Sequence, residues 1–442
     1  MDSSVKTQKD KRNGLFTGSV PLTRGQNRIL DIFFYTVLAG TFVSMLGIIL
    51  YYVYAYAALH SGSNSFDWLL GIFSDFVYIM NVSLEESPYL IEDSSYPPIA
   101  IAILYPFALI CKGVFAKYSG YVLSVDELTS RVVLHPEFWV AMVLFFVVCS
   151  AIIILTVIKM YKLPPLASVK VAILILTSAP FIYAVMRGNT IYFALIFLLL
   201  FLLLYKSESP VLREIGYVCL VFAGLIKIYP LFFGVFLLCD KKIWASVRIA
   251  IYTVVLFVLS FLLFEGGFDH FEPFLNNLGG FASNDLRLMA TNNLSITSLL
   301  YRAVAVFSPT AADSALFDSL NMVILIAIFL VSTAAAIYTR SELSRYLIAS
   351  AVVILVPSVS YFYVLVFMLL PFMEFFKEYD SIEPRKRLLY TVLFFVLFLA
   401  PLILAKNFIL QALAVIIMLT LELITVFGNE RRARTQLAVS GS

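Results

Sequence analysis

Thirteen apolar runs succeed one another along this 442-residue chain. The first covers about 32–59. The others lie near 97–111, 137–158, 171–186, 191–205, 214–226, 228–239, 249–264, 319–338, 346–357, 364–376, 388–404 and 408–428. No soluble fold could cover that much apolar surface. Charged residues make up only 13% of the chain, against roughly 25% in an average soluble domain. Disorder, a coiled coil and a small disulfide scaffold are excluded with it. The fold class is all-α: a polytopic membrane protein of about twelve transmembrane helices. A net charge of +3 is too small to point to nucleic acid. Cys111, Cys149, Cys219 and Cys239 all sit in apolar runs, and His60, His135 and His270 are scattered, so neither a disulfide framework nor a metal cage is expected.

Residues 1–28 are polar and carry six Lys and Arg. The run that follows is too long for a signal-peptide core. A cytoplasmic tail before a first span is the reading that the positive-inside rule gives. Arg431, Arg432 and Arg434 make 429–442 a second cytoplasmic tail. Thirteen crossings would put the two tails on opposite faces, so one run does not cross or two neighbours form one span. In a first arrangement, 97–111 lies in the outer interface and Lys227 sits at an outer break between two short spans. In a second, 97–111 crosses and 214–239 is one span kinked at Pro230. The first keeps an ammonium out of hydrocarbon, where it would cost roughly 3 kcal/mol or more. It also gives Pro97-Pro98 a helix-start role. The second has the better span lengths. Both leave one transmembrane domain over 29–428 with two large outer segments, about 60–136 (60–96 in the second arrangement) and 265–318.

Those outer segments hold most of the polar chemistry. Asp75 interrupts an apolar stretch, about 68–80. A half-desolvated carboxylate suits a general base; an interfacial helix with one charge facing water is the ordinary alternative, and Asp67 the nearest competitor. Arg187-Gly188-Asn189-Thr190 separates two runs and reads as a tight turn with a snorkelling arginine. Lys227, before Tyr229-Pro230, is a membrane-edge cation, and such a cation is a functional candidate by default. The second loop adds Arg287 and Asn292-Asn293-Leu294-Ser295. Ser360, Tyr361, Phe362 and Tyr363 follow Pro357 and can line a polar cavity or form an aromatic belt.

Taken in order, Asp75-Phe-Val-Tyr, Ser87-Pro-Tyr, Tyr96-Pro-Pro, Gly188-Asn-Thr, Lys227-x-x-Pro230, Asn292-Asn-x-Ser and the aromatic run after Pro357 resemble the motif series of the GT-C membrane glycosyltransferases. The nearest branch is the bacterial polyprenol-phosphate-mannose-dependent α-mannosyltransferases. The resemblance covers about 70–370. It implies a juxtamembrane helix in the first outer loop, which is the first arrangement. It also implies an outer-face site in the bacterial inner membrane and Asp75 as base. Gly188-Asn189-Thr190 stands where the family often has Gly-Gln-x-Asn, and no histidine accompanies the Pro357 motif.

The implied donor is a sugar on polyprenyl phosphate, a mannose-like hexose foremost. The acceptor is a hydroxyl of a glycolipid or glycan. Partners are these substrates and membrane lipids, with no nucleic acid. Lys227, Arg187 and Arg287 are the candidate phosphate partners; Asn189, Tyr96, Asn293, Ser360, Tyr361 and Tyr363 complete the expected binding set. One displacement with one base implies inversion, and the scheme requires no metal or other cofactor. The rival readings are a lipid or sugar flippase, which would gather polar breaks near mid-span, and a polysaccharide polymerase or ligase, which would carry arginine-rich outer loops.

Overall fold

The computed structural model describes residues 18–58, 72–90, 94–282, 288–399 and 408–440. Asp67, Asp93 and Arg287 lie outside the described residues. The described chain forms twenty α-helices and no named strand. In chain order, α1 is Arg24–Ala58, α2 Ser74–Ser83, α3 Pro98–Ala102, α4 Tyr105–Tyr118, α5 Val125–Val132 and α6 Pro136–Tyr161. Then come α7 Pro165–Thr177, α8 Ala179–Arg187, α9 Ile191–Leu204, α10 Pro210–Ile226, α11 Val235–Cys239 and α12 Ile243–Ser260. The series ends with α13 Phe271–Ala282, α14 Ile296–Phe307, α15 Pro309–Ala312, α16 Ala315–Tyr338, α17 Glu342–Leu355, α18 Leu369–Lys377, α19 Pro384–Phe398 and α20 Ile409–Ser440. The fold is all-α and polytopic, as the apolar runs require.

Prolines and serines set many of these boundaries. Pro136, Pro165, Pro210 and Pro384 each open a helix at a position whose N–H would have no partner anyway. Ser209, Ser295 and Ser341 cap the next turn with their side-chain oxygens. Pro180 breaks what would be one helix. It lacks the N–H needed for the ladder, and α7 and α8 meet at 54° there.

Five helices are long and apolar enough to cross a membrane, and α7 with α8 makes a sixth as a bent pair. The expected count of twelve therefore depends on six shorter segments. These are α9, α10, α17, α19 and two stretches that each begin as a 3-10 helix, Tyr229–Gly234 into α11 and Phe362–Met368 into α18. Burial explains how short segments are tolerated. The long helices α12 and α16 are only 17% buried over their apolar windows, so their length must match the lipid. In contrast, twelve of the fourteen residues of α17 are buried. A helix sheathed in protein need not match the hydrocarbon thickness.

The chain doubles back at Lys227. A Cβ on Gly224 would clash with Leu231, and one on Gly234 would lie 3.7 Å from Leu220. The contacts pair in descending order, so the two segments run antiparallel. At their far end Lys206 Nζ meets Asp240 at 3.3 Å, and Lys242 Nζ donates to the Tyr205 carbonyl at 3.1 Å. A single kinked span over 214–239 is not what forms.

Residues 97–111 do not form one helix either. α3 starts at Pro98 and ends after five residues; α4 begins afresh at Tyr105. The segment starts and finishes at one end of the bundle. Tyr96 lies against Lys227, and Tyr118 Oη is 3.0 Å from His135 Nε2, just before α6. The first turn of α6 packs Phe138 against Phe73, beside Asp75. This is the geometry of the first arrangement.

Candidate active site

Asp75 is the second residue of α2, where the helix dipole favours a carboxylate. The start of α2 is pinned. Phe73, with φ of 66°, donates its N–H to the Met186 carbonyl at 2.6 Å. The next residue, Arg187, ends α8 and forms an ion pair with Asp75 Oδ1. Asn189 Nδ2 donates to Asp75 Oδ2 at 2.7 Å, and Asn189 Oδ1 accepts from the Ile191 N–H at 3.0 Å. That second bond fixes which way the amide faces. The carboxylate is therefore not the isolated group that its apolar neighbourhood suggests. Two residues of one turn hold it.

Gly188 makes this turn possible. It closes α8 in the left-handed region, φ 60°, and a Cβ there would sit 2.3 Å from Phe76 Cβ. Only glycine lets α2 come close enough for Arg187 and Asn189, on either side, to reach the same carboxylate.

Lys227 follows the last residue of α10 in extended backbone, φ −142° and ψ 122°. Its Nζ lies 4.5 Å from the Tyr96 ring centroid and 5.9 Å from that of Tyr363. No acidic group among the described residues forms an ion pair with it. Asp75 is near enough to act on it electrostatically, and Tyr363 lies within electrostatic range of Tyr96, Asp75, Tyr229 and Arg187. The Asp75–Arg187 pair and Lys227 thus share one tyrosine-rich site with a surplus of one positive charge. That surplus sets up a positive potential favourable to an anion, next to a carboxylate held in place by two donors.

Tyr183 is a member that sequence reasoning missed. It stacks on Tyr363 with centroids 6.4 Å apart and accepts a hydrogen bond from Asn292 Nδ2 at 3.1 Å. The available signal was spacing: Tyr183 precedes Arg187 by four, one turn up the same face of α8. Tyr361 lies edge-on to Tyr363 at 6.0 Å.

Asn293 and Ser360 are fully buried at a join between the second loop and the Pro357 run. Asn293 Nδ2 donates to the Ser358 carbonyl at 3.1 Å, and Asn293 Oδ1 accepts from the Ser360 N–H at 3.0 Å. Leu294 N donates to the Ser360 carbonyl at 2.7 Å, alongside an antiparallel bridge between Asn293 and Tyr361. This join presents Tyr361 and Tyr363.

The chain matches no curated protein and no solved structure. The profile of glycosyltransferase family 87 matches residues 95–371. The stretch runs from the residue before Tyr96 through Arg187, Lys227 and Tyr363, well over half of the chain. The chain belongs to glycosyltransferase family 87 and is a membrane glycosyltransferase of GT-C type.

Proposed function

We propose that this enzyme moves a mannose-like hexose from a polyprenyl-phosphate donor to a hydroxyl of a lipid or glycan, on the outer face of a bacterial inner membrane, with inversion. The observation that carries the reading is the pairing of one held carboxylate with one cation that has no carboxylate of its own.

The acceptor oxygen attacks the anomeric carbon as the bond from that carbon to the phosphate oxygen breaks. The acceptor's proton passes to Asp75, and a general base of this kind contributes roughly 10²–10⁴-fold. The donor is a phosphodiester with one negative charge; the departing polyprenyl phosphate gains a second. Lys227 therefore attracts the leaving group more strongly than the bound donor, and such differential binding raises the rate. Arg187 orients the Asp75 carboxylate and adds positive potential for the same phosphate. Asn189 holds the second carboxylate oxygen. The faces of Tyr183, Tyr361 and Tyr363 offer flat apolar surfaces of the kind on which sugar C–H groups pack. A covalent intermediate with retention would need a second carboxylate within about 5–5.5 Å of the first, by analogy with glycosidases. Among the described residues none joins this network.

Purified protein incubated with a panel of polyprenyl-phosphate sugars tests the proposal. Transfer from a polyprenyl-phosphate hexose, with inverted anomeric configuration in the product, is the expected result. Transfer from a nucleotide sugar alone, or retention of configuration, would overturn it.

A further inference from the structure

Helix α13, in the second outer segment, grips the chain that leads into Tyr96. Asn277 Nδ2 donates to the Tyr89 carbonyl at 3.1 Å and to the Ser94 carbonyl at 3.3 Å. An amide carries two hydrogens, so one side chain can staple both carbonyls. Tyr89 is 1% exposed. Its ring meets Phe274, His270 and Phe261 with centroids 5.5, 5.7 and 5.9 Å away. His270 is itself fixed, its Nε2 lying 2.5 Å from the Glu265 carbonyl. The Tyr89 hydroxyl then donates to the Tyr96 carbonyl at 2.9 Å. Burial pushes the Tyr89 phenol far up, with Tyr78 adding to the effect, so the hydroxyl keeps the proton that it donates. Tyr96 places its ring against Lys227. The chain of contacts therefore runs from α13 through Asn277 and Tyr89 to Tyr96 and ends on the cation.

We propose that Tyr89 and Asn277 are positioning residues that hold Tyr96 over Lys227 and so fix the site's free cation. The kinetic consequence rests on the phosphate role given to Lys227 above. The positional consequence does not, because it concerns only what covers the ammonium.

Two measurements on the full-length protein in detergent separate these. In the first, lysines are acylated with a water-soluble ester and read by mass spectrometry. Tyr89→Phe removes one hydroxyl and keeps the ring. It should speed modification of Lys227 at least about threefold, the scale of a lost cation–π cover, and leave the exposed Lys112 and Lys117 unchanged. Asn277→Ala should do the same, and Asn277→Gln should restore part of the protection. Unchanged labelling of Lys227 overturns the proposal. So does a rise at all three lysines together, which marks general loosening.

In the second, transfer is measured in a cycle with Lys227→Met. Tyr89→Phe should lower kcat/KM about fivefold in wild type and by less than about twofold once Lys227 is methionine, since coupled residues are not additive. Equal losses in both backgrounds would make Tyr89 a structural residue and overturn the kinetic part. Faster labelling of Lys227 without transfer from any polyprenyl-phosphate sugar would uphold the positioning and remove the phosphate reading alone.

Discussion

Asp75 and Glu422 are both carboxylates set in apolar sequence, and their surroundings differ. Glu422 in α20 has no exposure. Lys386 Nζ reaches its Oε1 at 2.7 Å, the Tyr390 hydroxyl donates to the same oxygen, and Ser344 Oγ donates to Oε2 at 2.7 Å. Three helices, α17, α19 and α20, meet on this one side chain, and charge balances within it. Asp75 is also held by two donors, but its side chain keeps 13% exposure. The site around it includes a second cation, Lys227, faced by tyrosine rings. A closed cluster spends all of its donors on protein and joins helices. An open one leaves charge for a ligand.

The largest expected effect tests the open cluster. Asp75→Asn should lower transfer by roughly 10²–10⁴-fold while folded yield and donor binding stay near wild type. Activity within about tenfold of wild type, below the range for a general base, would move that role to another carboxylate such as Asp67 or Asp93. Next comes Lys227→Met, for which we expect more than about a tenfold loss, or about 1.4 kcal/mol of transition-state stabilisation. Lys227→Arg should recover part of it, because charge is kept while geometry changes. Wild-type rates for Lys227→Met at both limiting and saturating donor would take Lys227 out of the site.

Glu422→Gln should show the opposite profile. Breaking a buried ion pair costs about 3–5 kcal/mol, so thermal unfolding in detergent should shift well down. Activity per folded molecule should stay within about threefold, as for a residue outside the chemistry. A rate loss like that of Asp75→Asn, with stability unchanged, would collapse the contrast between the two clusters. The last measurement leaves activity untouched and asks which face the open cluster is on. A cysteine at the exposed Ser119, with the four native cysteines removed, should react with an impermeant maleimide from outside. Reaction only after permeabilisation would put the Asp75 end of the bundle in the cytoplasm.

Much of the architecture was legible because its causes are local. Apolar runs required helices in a membrane, and proline and serine marked where helices begin. Pro97-Pro98 opened α3, and the reversal at Lys227 was one of two arrangements that the parity of the runs allowed, the one that the family resemblance implied. Segment lengths were less legible. A 3-10 stretch rises about 2 Å per residue against 1.5 Å in an α-helix. Twelve apolar residues therefore reach further when they begin, as Tyr229–Gly234 does, in the tighter winding. No residue pattern announced that.

The sequence by itself determined that this chain is a many-helix membrane protein and that its candidate chemistry lies in the breaks between runs. Both follow from the transfer of side chains and backbone between water and lipid, which each residue carries with it. Tertiary structure alone decided what each polar break does. Asp75 and Glu422 look alike in the sequence, single acids in apolar surroundings. Arg187 and Asn189 converge on Asp75 only because Gly188 lets α2 close against the end of α8. Glu422 is silenced by Lys386, Ser344 and Tyr390, whose places in the chain predict nothing of their meeting. A charge acquires its role from the partners that surround it, and those partners come from distant segments that only packing brings together.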